Sequence, residues 1–117
     1  MKTIIVFDVI GKNAISMQNG DKIYNLLHTD LINEQKITLD FEQINLFASP
    51  FFNASIGLLL KDISIEQLQQ NLTFDNLNEV GNDLLNHVIS NAIAYYGNSD
   101  NVTKGINSVS DEDKGSA

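Results

Sequence analysis

Residues 36–61 read KITLDFEQINLFASPFFNASIGLLLK and carry the clearest pattern of secondary structure in the chain. Its first six residues alternate between polar and apolar side chains, which is the pattern of a strand buried on one side. Ser49 and Pro50 follow, a good capping residue and then the residue favoured at the first position of a helix. The stretch therefore predicts a strand, a short loop, and a helix that runs from Pro50 to about Lys61.

The periodicity of the rest of the chain predicts further strands and helices on both sides of this stretch. The apolar run at residues 3–10 is typical of a central strand covered on both faces, and residues 14–16 are expected to pair with it as a hairpin. The other predicted elements are a helix over residues 16–28 capped by Ser16 or Asn19, a helix from Ser64 to Asn71 with a capping box to Gln67, a strand over residues 72–74, and a helix over residues 78–96. The predicted fold class is α/β, with a mixed sheet of three to five strands and helices mainly on one face.

The composition indicates one folded domain and a polar C-terminal segment. The chain has 117 residues, of which 43% are hydrophobic, enough for a single core. Beyond Gly97 the periodicity ends, so we expect a domain over residues 1–97 and a flexible acidic tail over residues 98–117. With four acids and two bases the tail contributes -2 to the net charge of -8, which leaves -6 on the domain.

The charge and the residue types argue against several classes of function. A net charge of -8 repels phosphate groups, so neither nucleic acid nor an anionic membrane is expected as a partner. The chain contains no cysteine, which removes disulfides, thiolate nucleophiles and cysteine-based zinc sites. Neither His28 nor His87 is followed by a His, Asp or Glu at an i+3 or i+4 spacing that completes a ligand site, and no enzyme or cofactor motif is present. We therefore expect neither a metal nor a cofactor. No apolar run reaches the ~20 residues of a membrane span, so we expect a cytoplasmic protein.

The strand Leu39-Asp40-Phe41 is followed by a short loop and by a helix that starts at Ser49. This pattern resembles the STAS fold of sulphate-transporter and anti-sigma-factor-antagonist domains. It resembles an uncharacterised STAS-like family more closely. The likeness extends by pattern over residues 3–96. It implies a bacterial regulatory domain. In anti-sigma-factor antagonists the loop reads Asp-Ser-Ser-Gly, its first serine is phosphorylated by a partner kinase, and Ser49 matches that position. The segment Ala48-Ser49-Pro50-Phe51 departs from this loop at every residue except Ser49.

We therefore expect a protein-interaction module and not an enzyme, with Ser49 as the phosphorylation candidate and a contact surface made of Ser49, Pro50, Phe51, Phe52 and Ser55. A phosphate on Ser49 would be stabilised by the free N–H groups at the start of its helix, although a plain helix cap is the simpler interpretation. The helix predicted over residues 50–61 is apolar on most sides, so it needs a second cover, either a neighbouring helix or a partner. The resemblance implies a histidine-kinase-type ATPase as the protein partner, and it leaves a homo-oligomer open.

Two other classes of function remain as alternatives. A small ligand-binding domain or enzyme would use Asp40 and the loop after it, although a single carboxylate does not make a catalytic site. An acidic, antitoxin-like inhibitor would use the charged body and tail to occupy a basic surface on its target.

Overall fold

The computed structural model describes the backbone of residues 2–104 and the side chains of residues 2–96. In chain order the elements are β1 (Lys2–Ile5), α1 (Val6–Ile10), β2 (Asn13–Ala14), α2 (Met17–Ile32), β3 (Ile37–Asp40), β4 (Leu46–Phe47), α3 (Ser49–Ser55), a 3-10 helix (Gly57–Lys61), α4 (Ile65–Asn71), β5 (Leu72–Asp75) and α5 (Glu79–Lys104). The chain thus has the α/β class that the sequence predicts.

The strands form two small sheets, and every pairing is parallel. The larger sheet has the order β1-β3-β5, and the smaller one pairs β2 with β4. Ile4, Leu39 and Phe74 form one cross-strand row, on the face that packs into the core. The next row consists of Thr3, Thr38 and Thr73. Because neighbouring side chains on a strand point to opposite faces, the threonines lie on the face away from the helices.

The first strand differs from the prediction. The run at residues 3–10 divides into β1 and α1, and β1 is an edge strand of the sheet and not its centre. Ile5 therefore stays partly exposed. The predicted hairpin is also wrong, because β2 pairs with β4 and not with β1. An apolar run alone does not separate a buried strand from a strand that turns into a helix, and here α1 packs against α2.

Helix α2 begins where predicted and packs closely on α3. Ser16 is its N-cap, and its hydroxyl accepts a hydrogen bond of 3.1 Å from the backbone N–H of Asn19. At Gly20 the two helices come so close that an added Cβ would lie 2.5 Å from the carbonyl oxygen of Phe51 and 2.8 Å from the Cβ of Ala54. The missing side chain of Gly20 therefore sets the separation of α2 and α3.

The apolar helix predicted over residues 50–61 is interrupted, because α3 ends at Ser55 and the 3-10 helix begins at Gly57. The change of helix type redirects the chain, and apolar side chains from both segments enter one core. They are Phe51, Phe52, Ala54, Ile56, Leu59 and Leu60. α2 and α5 both pack against α3. The second cover that this apolar segment requires is thus supplied by the chain itself.

The predicted capping box at the start of α4 is present. The backbone N–H of Gln67 donates to Ser64 Oγ over 3.1 Å, and the backbone N–H of Ser64 donates to Gln67 Oε1 over 3.2 Å. These two reciprocal bonds satisfy donors that would otherwise be free at the helix start. The helix that they start runs directly into the last strand, since α4 ends at Asn71 and β5 begins at Leu72.

Helix α5 continues past its predicted end at Tyr96 and reaches Lys104. A single glycine costs a helix interior only about 1 kcal/mol, so Gly97 does not end it. Residues 98–104, predicted as the first part of a flexible tail, are helical, and residues 105–117 lie outside the described residues. Among the helices in the described part of the chain, none has both the length and the apolar character needed to cross a membrane.

Candidate functional site

Ser49 is the first residue of α3, and Ala48 before it is the N-cap. The prediction that Ser49 caps this helix is therefore displaced by one residue, and Pro50 takes the second helical position. Ser49 is half-buried, and its hydroxyl makes no hydrogen bond to another residue that the structure describes. The hydroxyl is thus not committed to stabilising its own helix.

Three of the five predicted contact residues lie in the core. Phe51, Phe52 and Ser55 have an exposed fraction of 0%. Ser55 Oγ donates a hydrogen bond of 2.8 Å to the backbone oxygen of Phe51, and the two phenyl rings pack edge to face. A side chain without accessible surface does not contact a docking partner, so the predicted surface is corrected to exclude these three. Ser49 and Pro50 remain accessible.

The small parallel sheet places additional apolar side chains next to Ser49. Ala14 is buried and Phe47 packs against the core, so their neighbours Ile15 and Leu46 point outward. The exposed fractions are 39% for Ile15 and 55% for Leu46, and Met17 at the start of α2 is 61% exposed. The backbone N–H of Ala48 donates to the carbonyl oxygen of Ala14 over 3.0 Å, which brings this turn beside the start of α3.

We define the Ser49 surface as Ile15, Met17, Leu46, Ser49 and Pro50. It consists of the outer side of the β2–β4 pair and the first residues of α2 and α3, the two helices that follow these strands. Residues 13–20 and 43–60, which carry it, contain no Asp, Glu, Lys, Arg or His. None of the five side chains of this surface is therefore ionisable, on a chain whose net charge is -8.

Sequence reasoning found Ser49 and Pro50 but missed Ile15, Met17 and Leu46. The alternation of short strands of two residues is too brief to show which side faces the core. The absence of ionisable residues from both segments is visible in the sequence and is the signal that could have identified them. Depletion of charge with exposed apolar side chains is typical of the centre of a protein interface.

Asp40, the residue of the alternative ligand-binding hypothesis, joins two loops at the carboxyl end of the larger sheet. Its Oδ1 accepts hydrogen bonds from the side-chain amide of Asn76 over 2.8 Å and from the backbone N–H of Glu42 over 2.9 Å. The bond from Asn76 and then the bond from Glu42 lower the pKa of Asp40 below its ordinary value. The carboxylate thus acts as an acceptor that holds the loops after β3 and β5.

A polar cluster that the sequence did not predict joins α2 to the end of the 3-10 helix. His28 Nε2 lies 2.8 Å from Asp62 Oδ2, and the ring of Tyr24 stacks on the imidazole with 5.0 Å between centroids. Burial raises the pKa of Tyr24, and the Asp62 carboxylate and Tyr96 raise it further. The pairing of His28 with Asp62 connects residues 34 positions apart, beyond the reach of any local spacing rule.

The polar residues of the described chain do not assemble a metal site. No group of three or more His, Cys, Asp or Glu side chains converges among the residues whose side chains are described. The His28–Asp62 pair therefore stands as a cross-link between elements, and Asp40 as a loop-holding residue.

Comparison with known families matches residues 19–82 to a STAS-like domain of unknown function. The match covers more than half of the 117 residues and includes Asp40, Ser49, α3, α4 and β5. The chain belongs to this STAS-like family. The resemblance predicted from the strand and loop around Leu39-Asp40-Phe41 is therefore confirmed. No curated protein and no solved structure matches the STAS-like domain.

Proposed function

We propose that this STAS-like domain is a regulatory protein-interaction module, and not an enzyme, whose partner protein docks on the Ser49 surface. The observation that carries the proposal is the exposed apolar cluster of Ile15, Met17 and Leu46 on a surface without ionisable groups. Burial of such side chains against a partner releases about 25 cal/mol for each Å² of apolar area. We expect the partner to bind in the cytoplasm, which is the compartment expected from the sequence.

Phosphorylation of Ser49 is the proposed switch. The free hydroxyl and the partial exposure of Ser49 favour access by a kinase. A phosphate would bring about -1.5 to -2 charges into a surface that otherwise has none. Because an interface that buries an unpaired charge is strongly destabilised, the modified domain would release its partner. A histidine-kinase-type ATPase, the partner class implied by the STAS resemblance, is the first candidate.

The partner and the docking surface are tested together by crosslinking. A photoreactive amino acid at position 46 should give one discrete adduct in native cells, whereas the same residue at position 32 should give none. Ile32 is a matched control because it is an apolar residue, 43% exposed, at the opposite end of α2 from Met17. Equal adducts at both positions, or none at position 46, contradict the proposed surface.

The affinity of the captured partner then measures what each residue contributes. We expect Leu46→Asn and Ser49→Asp each to weaken binding at least about tenfold, or about 1.4 kcal/mol. Ser49→Ala and Ile32→Asn should bind as the unmodified chain does, and Ser90→Asp, at an exposed position of α5, controls for added charge. A partner held by charge alone, as for an acidic inhibitor, would instead be released by high salt and keep its affinity for Leu46→Asn.

A further inference from the structure

The outer edge of β5 offers backbone hydrogen bonds that no described strand uses. β5 is the last strand in the order β1-β3-β5. The carbonyl oxygen of Asp75 accepts a hydrogen bond from the N–H of Phe41, in the loop that follows β3. The backbone N–H and C=O groups of Asp75 therefore point inward, toward β3. Because successive residues of a strand point their N–H and C=O groups to alternate edges, those of Phe74 point outward. This edge is a template on which another extended chain can pair.

An apolar groove of about 250 Å³ lies along the same edge, between α4, β5 and α5. Its apolar lining consists of Ile65, Leu68, Leu72, Phe74, Leu85 and Ile89. The carboxamides of Gln69, Asn82 and Asn86 complete it. The groove therefore combines an apolar floor with polar groups that neither carry charge nor repel a peptide backbone.

The position of the groove matches the place of one further strand. A strand paired with β5 directs every second side chain to the helix-covered face, where Leu72 and Phe74 of β5 already point. Those side chains would enter the groove, and the backbone of the added strand would form hydrogen bonds with the N–H and C=O groups of Phe74. This is the arrangement in which an extended peptide gains affinity from backbone bonds and specificity from alternate side chains.

Acidic residues surround one end of the groove. Residues 62–103 contain six acids and neither Lys nor Arg. Glu66 on α4, Asp75 at the end of β5, and Glu79 and Asp83 on α5 are all exposed. Lys36 reaches only the opposite end of β5, where its Nζ donates to the carbonyl oxygen of Gln70. The carboxyl end of β5 is thus strongly acidic.

We infer that the edge of β5 and its groove bind an extended segment of a partner protein, which has apolar residues at alternate positions and Lys or Arg beside Asp75, Glu79 and Asp83. The charge selects this occupant. A second copy of the chain also carries -8, and residues 105–117 carry three acids and one base, so both meet repulsion at the acidic end. The inference concerns a surface separate from the Ser49 surface and does not depend on it.

Random linear peptides displayed on phage and selected against the full chain provide the test. Enriched peptides should alternate apolar and polar residues and carry Lys or Arg at one end. Their affinity should fall at least about tenfold for Asn86→Lys, which adds a like charge at the groove. Asn91→Lys is the matched control, because Asn91 is an exposed asparagine of the same helix that does not line the groove. Methylation of alternate backbone nitrogens in the peptide should abolish binding, and Leu46→Asn should leave it unchanged.

Several results would overturn the inference. They are enrichment of no peptide, equal affinity of Asn86→Lys and Asn91→Lys, or equal affinity of the methylated peptide. Self-association in sedimentation that Asn86→Lys removes would identify a second copy as the occupant. Peptide binding that appears only after deletion of residues 105–117 would identify the chain's own C-terminal segment.

Discussion

At the scale of single residues, Asp40 shows how one carboxylate organises the end of a parallel sheet. It lies in register with Asp75 on the neighbouring strand, and each strand continues into a loop. Asp40 accepts from Glu42 in the first loop and from Asn76 in the second. Asn76 itself has a positive φ of 59°, a conformation that asparagine tolerates better than most residues. The acid is therefore best explained as a structural acceptor, which weakens the ligand-binding alternative.

We expect Asp40→Ala to destabilise the domain in a pH-dependent manner. Hydrogen bonds lower the pKa of Asp40 in the folded state, so its contribution is present above the unfolded-state pKa of about 4. That contribution is lost as the pH falls through the lower folded-state pKa. Urea unfolding from about pH 7 to about pH 2 should show a stability difference from the unmodified chain that narrows below pH ~4.

Asp75→Ala serves as the control for this measurement, since Asp75 is an exposed aspartate at the equivalent position of the next strand. Because the bonds from Asn76 and Glu42 go to Asp40, Asp75→Ala should not reproduce the narrowing expected for Asp40→Ala. A stability difference for Asp40→Ala that is the same at every pH would show that the carboxylate charge does not act through these hydrogen bonds.

At the scale of elements, the parts of the fold that could be predicted are those with local signals. The cap of α2 at Ser16 and the capping box between Ser64 and Gln67 depend on residues three positions apart. The capping box was predicted, and Ser16 was one of the two caps predicted for α2. The alternation around Leu39 likewise identified β3. The break after Ser55 was missed because the packing of α3 against α2 and α5 decides it, and no local pattern records that packing.

The candidate site was predictable to a similar extent. A serine followed by proline marks a helix start in any context, so Ser49 was found within one residue of its position. The exposed side of Ile15 and Leu46 depends on a parallel pairing between segments 33 residues apart, Asn13 with Leu46 and Ala14 with Phe47. Register between distant segments is set by tertiary packing and leaves little trace in short strands.

The close approach of α2 and α3 gives a prediction at this scale. Alanine in place of glycine normally stabilises a helix interior by about 1 kcal/mol. At Gly20 the new Cβ would meet the backbone oxygen of Phe51 at 2.5 Å, so the helices must separate. We expect Gly20→Ala to lower the free energy of unfolding by about 1 to 3 kcal/mol in denaturant titrations.

Asn25→Ala, on the exposed side of the same helix, is the matched substitution and should leave stability unchanged or slightly raised. If Gly20→Ala were as stable as Asn25→Ala, the packing of α2 on α3 described above would be incorrect.

At the scale of the whole molecule, charge and apolar surface are separated. The Ser49 surface lies on segments without ionisable residues, whereas α4, β5 and the described part of α5 up to residue 103 carry acids but no lysine or arginine. An apolar, uncharged surface suits a tight partner that a phosphate can expel. An acidic edge suits a basic extended segment. The STAS-like domain thus offers two surfaces of different chemistry, and the proposed regulatory role concerns the first.

Docking of a partner on the Ser49 surface is tested by hydrogen exchange of the full chain, with and without the partner captured at position 46. We expect slower exchange at the amides of residues 15–17 and 46–50 when the partner is bound, with little change over residues 79–96. Slower exchange confined to residues outside the Ser49 surface would contradict the claim that this surface is where the partner docks.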